Sequence, residues 1–174
     1  STANISFVNG SNSVIFDGTY KEYLFTFNNL HNDQTGTEHE FQCSTDGGSS
    51  YGVTQTNTGI ECYHNQADTA TNLGYGTFYD FIQSTDYINL GGTTGGSGSA
   101  SDECTSGWLR IFDPANTTYK KHWQLESSTI THSETAVRLQ CSGYFNTTSA
   151  INAINFKTNS GNTIHGDFCL YGIS

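Results

Sequence analysis

The stretch TNSGNTIHGDFCLYGIS, residues 158–174, carries the pattern from which the fold prediction starts. Its first polar residues predict a turn, and the residues that follow predict a strand. Because side chains alternate across a strand, two apolar side chains are expected on one face and three on the other. The first face carries Phe168 and Leu170, and the second carries Cys169, Tyr171 and Ile173. Neither face is polar, so we expect the strand to be covered on both sides, either inside the sandwich or by a second subunit.

The composition of the whole chain favours one all-β domain. The 174 residues include 10 Tyr, 11 Phe and 19 Gly, with one Pro and no Met. Tyr, Phe, Thr and Ile favour strands, whereas Gly, Asn and Ser favour turns. About ten short strand-like runs separated by turn residues are typical of two packed antiparallel sheets. We therefore predict a single-domain, jelly-roll-like antiparallel β-sandwich over residues 1–174.

The run 107–113 has a strong strand pattern, and the run 38–44 alternates weakly. The other predicted strands are 14–16, 20–28, 51–56, 59–64, 78–83, 121–125, 137–145, 150–157 and 163–173. Residues 65–73 predict either a short helix or a loop with one turn.

Residues 91–107, GGTTGGSGSASDECTSG, form a glycine- and serine-rich segment with almost nothing to pack. We predict a long surface loop within the single domain rather than a linker. Loops of this length often contact a partner, although a loop without a partner is an equal alternative.

The charge and the missing motifs exclude several classes of function. Six basic residues face 16 acidic ones, and a net charge of -10 argues against nucleic-acid binding. No run approaches the ~20 apolar residues of a membrane helix. The sequence has no CxxC, HExxH, GxSxG or P-loop motif, so we predict a protein that is not an enzyme and has no cofactor or metal. The five cysteines favour five reduced thiols, with two disulfides and one thiol as the alternative.

Two short motifs suggest specific sites. In Glu38-His39-Glu40 the two carboxylates share one strand face and the imidazole takes the other, which predicts a solvated strand edge rather than a metal site. Residues 44–51, STDGGSSY, resemble the Asp-box turn of sialidases. Sialidases repeat this box and bind their substrate with three arginines, whereas this chain has one box and two arginines. A structural hairpin capped by Asp46 is the prediction.

Four aromatic residues are candidates for a sugar-binding platform, with core packing as the alternative for each. They are Trp108, Trp123, Tyr63 and Tyr119.

Residues 144–174 resemble the C-terminal signature of virion proteins from tailed phages of the marine and cyanobacterial type. In that group an I-x-F-x-x-x-S-G-N hairpin precedes G-x-x-x-L-Y-G-I. The matching residues here are Ile154, Phe156, Ser160, Gly161, Asn162, Gly166, Leu170, Tyr171, Gly172 and Ile173. The stretches 19–31, 41–51 and 63–75 also resemble that group, so the resemblance covers most of the chain.

The resemblance implies a virion structural protein on the particle exterior, assembled in the host cytoplasm. We expect a capsid decoration (cement) protein that forms a homotrimer and binds other virion proteins such as the major capsid protein. The expected oligomer interface is Phe168, Leu170, Tyr171 and Ile173, with Gly166 and Gly172 allowing close backbone approach. One alternative is a tail-fibre or receptor-binding domain for host surface glycan. Another is a secreted carbohydrate-binding module or glycan-active enzyme.

Overall fold

A computed structural model describes residues 2–92, 96–160 and 164–174, with Phe78 described for its backbone alone. The structure consists of two packed antiparallel sheets, which confirms the predicted β-sandwich. The strands are β1 (Asn4–Val8), β2 (Glu22–Asn32), β3 (His39–Ser44), β4 (Gln55–Asn65), β5 (Thr71–Tyr75), β6 (Ile88–Asn89), β7 (Thr105–Phe112), β8 (Lys121–Ile130), β9 (Thr135–Phe145), β10 (Ala153–Thr158) and β11 (Ile164–Ile173).

The two sheets differ in size. The smaller has four strands in the order β1-β10-β3-β6, and the larger has seven in the order β11-β2-β7-β8-β9-β4-β5. The C-terminal strand β11 and the short strand β5 are therefore the two edges of the larger sheet. The predicted two-sided burial of β11 by a central position is wrong, because β11 is an edge strand.

The core between the sheets is built largely from aromatic side chains. Phe25, Phe27 and Phe41 from β2 and β3 are fully buried. Trp123 of β8 packs edge to face against Phe41, with ring centroids 5.5 Å apart. Aromatic pairs in this arrangement contribute about 0.5 to 1.5 kcal/mol beyond their buried area.

Several local predictions differ from the structure. Residues 65–73 lie in the hairpin between β4 and β5, as the loop alternative predicted, and the helix alternative is wrong. The predicted strand at 78–83 is replaced by a 3-10 turn at Thr77–Tyr79, which places the Tyr79 ring in the core. The predicted runs 51–56 and 59–64 are joined in one strand, β4, which begins only at Gln55, and the run at 14–16 lies outside the strands.

The glycine- and serine-rich segment also differs from its prediction. Its last residues begin β7, and residues 93–95 lie outside the described part of the chain. Ser97 is buried and forms isolated bridges to Thr37 and Thr131. Its Oγ accepts a hydrogen bond of 2.6 Å from Asn32 Nδ2. Ser97 and its neighbours therefore pack against the end of the sandwich instead of standing out as a surface loop.

The described residues contain no helix of the length and apolarity that a membrane span requires.

Candidate functional site

The C-terminal strand β11 exposes one edge along most of its length. It pairs with β2 from the Ile164–Asn32 pair to the Ile173–Glu22 pair. On its other edge, the described residues provide one isolated bridge, from Ile164 to Thr2. The backbone groups beyond that bridge face away from the sheet, as on any edge strand.

The two faces of β11 have different environments. Phe168 lies against Phe156, with ring centroids 4.7 Å apart, and Leu170 also packs on the core. These two predicted interface residues are half-buried and pack against the core of their own chain. Tyr171 is 51% exposed on the opposite face, where Ile173 is half-buried. Of the four predicted interface residues, Tyr171 and Ile173 are the two on the outward face.

The two glycines of β11 are exposed, but the side on which each would carry a Cβ is occupied by the same chain. Gly166 has a φ of 111° at the bulge in the β2–β11 pairing, and a Cβ there would clash with backbone atoms of Asn28 and Asn29. Gly172 is covered by the ring of Tyr20 from the same chain. Both close approaches are therefore made within the protein.

The outer face of the seven-stranded sheet is the second candidate surface. We use the name outer face for the side chains of the sheet that point away from the four-stranded sheet. Strand register aligns one row of these side chains across six strands. The row contains Thr26, Trp108, Glu126, Gln140, Ile60 and Tyr75. Trp108 is half-buried in this row, at the side of an open depression of about 360 Å³.

The charged groups of the outer face are paired with one another. Arg138 donates to Glu126 Oε1 through both Nε and Nη2, at 3.0 and 2.7 Å. Gln140 Nε2 donates to the other carboxylate oxygen at 3.3 Å. These hydrogen bonds lower the pKa of Glu126, and the bond from Arg138 has the largest effect. Arg110 lies 3.5 Å from Glu22 and stacks 5.8 Å from the Trp108 ring centre.

The four predicted sugar-binding aromatics do not form one platform. Trp123 is 1% exposed and packs in the core, so its assignment to a glycan site was wrong. Tyr63 is paired with the buried Val137 and is half-buried on the inner side of β4. Tyr119 is 71% exposed but lies in the loop between β7 and β8. Of the four, Trp108 alone lies on the outer face.

Sequence reasoning missed two aromatic residues of the outer face. Tyr75 is 55% exposed at the end of the Trp108 row. Tyr144 lies beside His122, with ring centroids 6.4 Å apart. The period-2 pattern of β9 contained the signal, because Arg138, Gln140 and Tyr144 alternate with buried residues.

The loop that resembles an Asp-box is a connection between the sheets. Ser44 Oγ donates to the Asp46 carboxylate at 2.6 Å, and Ser50 donates to it through both N and Oγ. These hydrogen bonds, led by the one from Ser44, lower the pKa of Asp46 to about 2. Asp46 caps the turn as predicted. The predicted hairpin is wrong, because β3 and β4 belong to different sheets.

The Glu38-His39-Glu40 stretch is also not a solvated edge. The side chains alternate as predicted, but β3 lies between β10 and β6, and His39 is 2% exposed. Burial, and then the proximity of His31, lowers the pKa of His39 to about 4. Glu40 pairs with Lys157 at 2.9 Å on the other face.

The described residues contain no cluster of three or more His, Cys, Asp or Glu side chains that could hold a metal ion. All five cysteines are free thiols, and Cys43 and Cys141 are buried. Burial raises the pKa of Cys141 to about 11, so this thiol is protonated at neutral pH.

No protein-family model and no curated protein sequence matches this chain.

Proposed function

We propose that this chain is a non-enzymatic structural protein on the exterior of a phage particle, and that it assembles as an oligomer through β11. The specific form of the proposal is a capsid decoration protein that forms a homotrimer and contacts the major capsid protein. The sequence resemblance supports the assignment to a phage particle, and the exposed edge of β11 supports assembly through that strand.

The observation that carries the proposal is the position of Tyr171. Three other apolar residues of the C-terminal signature have a role inside the chain, since Ile154 and Phe156 are fully buried and Leu170 packs on the core. Tyr171 is half exposed on the outward face of an open edge strand. Core packing gives no reason for an aromatic residue here, whereas a second subunit would cover it.

The geometry of β11 suits strand-to-strand or face-to-face association. An edge strand offers a row of backbone donors and acceptors that a second chain can pair with. Closed symmetry would let each copy use the same surface, as in most soluble oligomers. The net charge of -10 would keep decorated particles mutually repulsive.

The first test is the solution mass by light scattering of the wild type, Tyr171→Asp and Tyr75→Asp. Both tyrosines are exposed to a similar degree on opposite edges of one sheet, at 51% and 55%. We expect a multiple of 18.9 kDa for the wild type and for Tyr75→Asp, and the monomer mass for Tyr171→Asp. A wild type that stays monomeric at every concentration would contradict the assembly route.

The second test addresses the particle itself. An antibody raised against the chain should label the heads of purified phage particles in immuno-electron microscopy. Label on the tail, or no label, would contradict the decoration role.

A further inference from the structure

The outer face of the seven-stranded sheet contains a groove that the assembly proposal does not use. The depression beside Trp108 shares Thr58, Gln124 and Ser142 with a second depression of about 570 Å³. The second depression is also lined by His122 and Tyr144. The two depressions are therefore adjacent, and we use the name groove for the pair, which extends from Trp108 towards Tyr144.

The length of the groove exceeds that of a site for one small molecule. Glu126, paired with Trp108, and His122, paired with Tyr144, lie four residues apart on β8. Four residues of an antiparallel strand span about 14 Å. Such a groove suits a short chain of linked units.

The side chains of the groove are those that recognise hydroxyl groups. Gln124 and Gln140 present amide groups, each with donor and acceptor atoms, and Ser142 and Thr58 present hydroxyls. The carboxylate of Glu126 is held in place by Arg138 and Gln140. Arg110 lies 5.8 Å from the ring centre of Trp108, and the part of the half-buried indole that lines the depression supplies an apolar surface on which the C–H face of a sugar ring can pack.

The charge of the groove selects among sugars. Arg110 and Arg138 are the two arginines of the chain, and each pairs with a glutamate on the outer face. These four charges cancel. Asp80 is a further carboxylate that lines the second depression, and Lys120 Nζ lies 5.1 Å from the ring centre of Tyr144, so one more charge of each sign is present. A surface without net positive charge on a chain of net charge -10 does not attract an anionic glycan.

We propose that this groove binds an uncharged oligosaccharide, with Trp108 as the stacking platform and Gln124, Glu126 and Gln140 as the hydroxyl-binding groups. The site is a binding site without catalysis. It is independent of β11, so it does not depend on the assembly proposal.

Native affinity electrophoresis tests the site directly. The wild type is run in gels that contain a neutral β-glucan, mannan, xylan or galactan, with the anionic polysaccharide alginate as a charged comparison. We expect at least one neutral polysaccharide to retard the wild type, and alginate to leave it unretarded. Retardation by alginate alone, or by none of the five, would overturn the proposal.

The matched variants are Trp108→Ala, Gln124→Ala and Tyr119→Ala. We expect the dissociation constant to rise at least tenfold for Trp108→Ala and a few-fold for Gln124→Ala, because each removes one contact. Tyr119→Ala removes an exposed aromatic outside the groove and should bind as the wild type does. Gln124 is exposed, so its variant keeps the test valid if Trp108→Ala does not fold. Binding that survives in both groove variants would overturn the proposal.

A second copy of the chain is the competing occupant of the outer face. Light scattering distinguishes the two, since Trp108→Ala should keep the wild-type mass. A Trp108→Ala variant with a lower mass, together with no retardation of the wild type by polysaccharide, would make this face a self-contact. Tyr171→Asp separates the two proposals. It should lower the solution mass to that of the monomer and leave the retardation by polysaccharide unchanged.

Discussion

Strands β11 and β5 are the two edges of the same sheet, but they differ in length and in contacts. β11 has 10 residues and rests Phe168 and Leu170 on the core, whereas β5 has five residues that are exposed or half-buried throughout. Short edge strands with few core contacts resist pairing with a second chain, and long edges with apolar side chains invite it. Under the assembly proposal, β11 is the edge that a second subunit covers, whereas the short β5 offers little edge for pairing.

Acid should give the largest change, and it acts on the interior strand β3 rather than on either edge. Burial, followed by the nearby His31, lowers the pKa of His39 from 6.5 to about 4, so the unfolded chain takes up the proton first as pH falls. The contribution of His39 to stability is therefore present above pH 6.5 and is lost towards pH 4, by about 3 kcal/mol.

Urea unfolding at pH 7 and pH 4 measures this effect. His39→Leu should remove the His39 part of the pH dependence. His64→Leu should not, because His64 beside β5 is exposed and bonds only to Asp68 among the described residues. An equal pH dependence in the wild type and His39→Leu would contradict the assignment.

The apolar contacts of the two edges should differ next. Phe168→Ala removes a half-buried ring that lies 4.7 Å from the Phe156 ring and 6.1 Å from the Phe27 ring. We expect the free energy of unfolding to fall by about 2 to 3 kcal/mol. Leu73→Ala on β5 changes a side chain that is 73% exposed, and should cost less than about 0.5 kcal/mol. Similar losses in both variants would show that β5 also has a core role.

A glycine on each edge provides a third comparison. Gly166→Ala forces a side chain into a left-handed backbone position against the carbonyl of Asn28, and should cost about 1 to 2 kcal/mol. A Cβ at Gly74 of β5 would meet only the flexible Asn72 side chain, so Gly74→Ala should stay within about 0.5 kcal/mol. Chemical denaturation of both variants measures the difference. A neutral Gly166→Ala would mean that the bulge can shift.

The exposed tyrosines should give the smallest change in the stability of the fold. Tyr171→Asp and Tyr75→Asp each alter a surface residue, and at low concentration each should stay within about 0.5 kcal/mol of the wild type. Oligomers melt at temperatures that depend on protein concentration. That dependence should disappear in Tyr171→Asp and persist in Tyr75→Asp. Its loss in Tyr75→Asp would move the interface to the opposite edge.

Local patterns predicted the fold class because they depend on alternation along single strands. The opposite orientations of Phe168 and Tyr171 followed directly from that period. Alternation does not say which face meets the core, and so Trp108 and Trp123 could not be told apart. The structure resolves them through register, because Trp123 pairs with Ile111 and Trp108 with Glu126.

Non-local contacts explain the other errors. β11 pairs with β2, whose residues lie far away in the sequence, and no local pattern reveals that this places β11 at an edge. The run at 78–83 has the aromatic and apolar residues that favour a strand, yet the turn at Thr77–Tyr79 buries the Tyr79 ring in the core. Ser97 is held by a hydrogen bond from Asn32 of β2. The composition of residues 91–107 does not reveal this contact, and it therefore suggested a surface loop.

Amide hydrogen exchange along β11 tests the central claim most directly. In a single chain, the amides of β11 that point away from β2 have no strand partner beyond the Thr2 bridge within the described residues, and they should exchange rapidly. In the assembled protein, subunit contacts should protect residues 168–173 at high concentration, and Tyr171→Asp should abolish that protection. Rapid exchange of these outward amides at every concentration, with no difference from β5, would contradict assembly through β11.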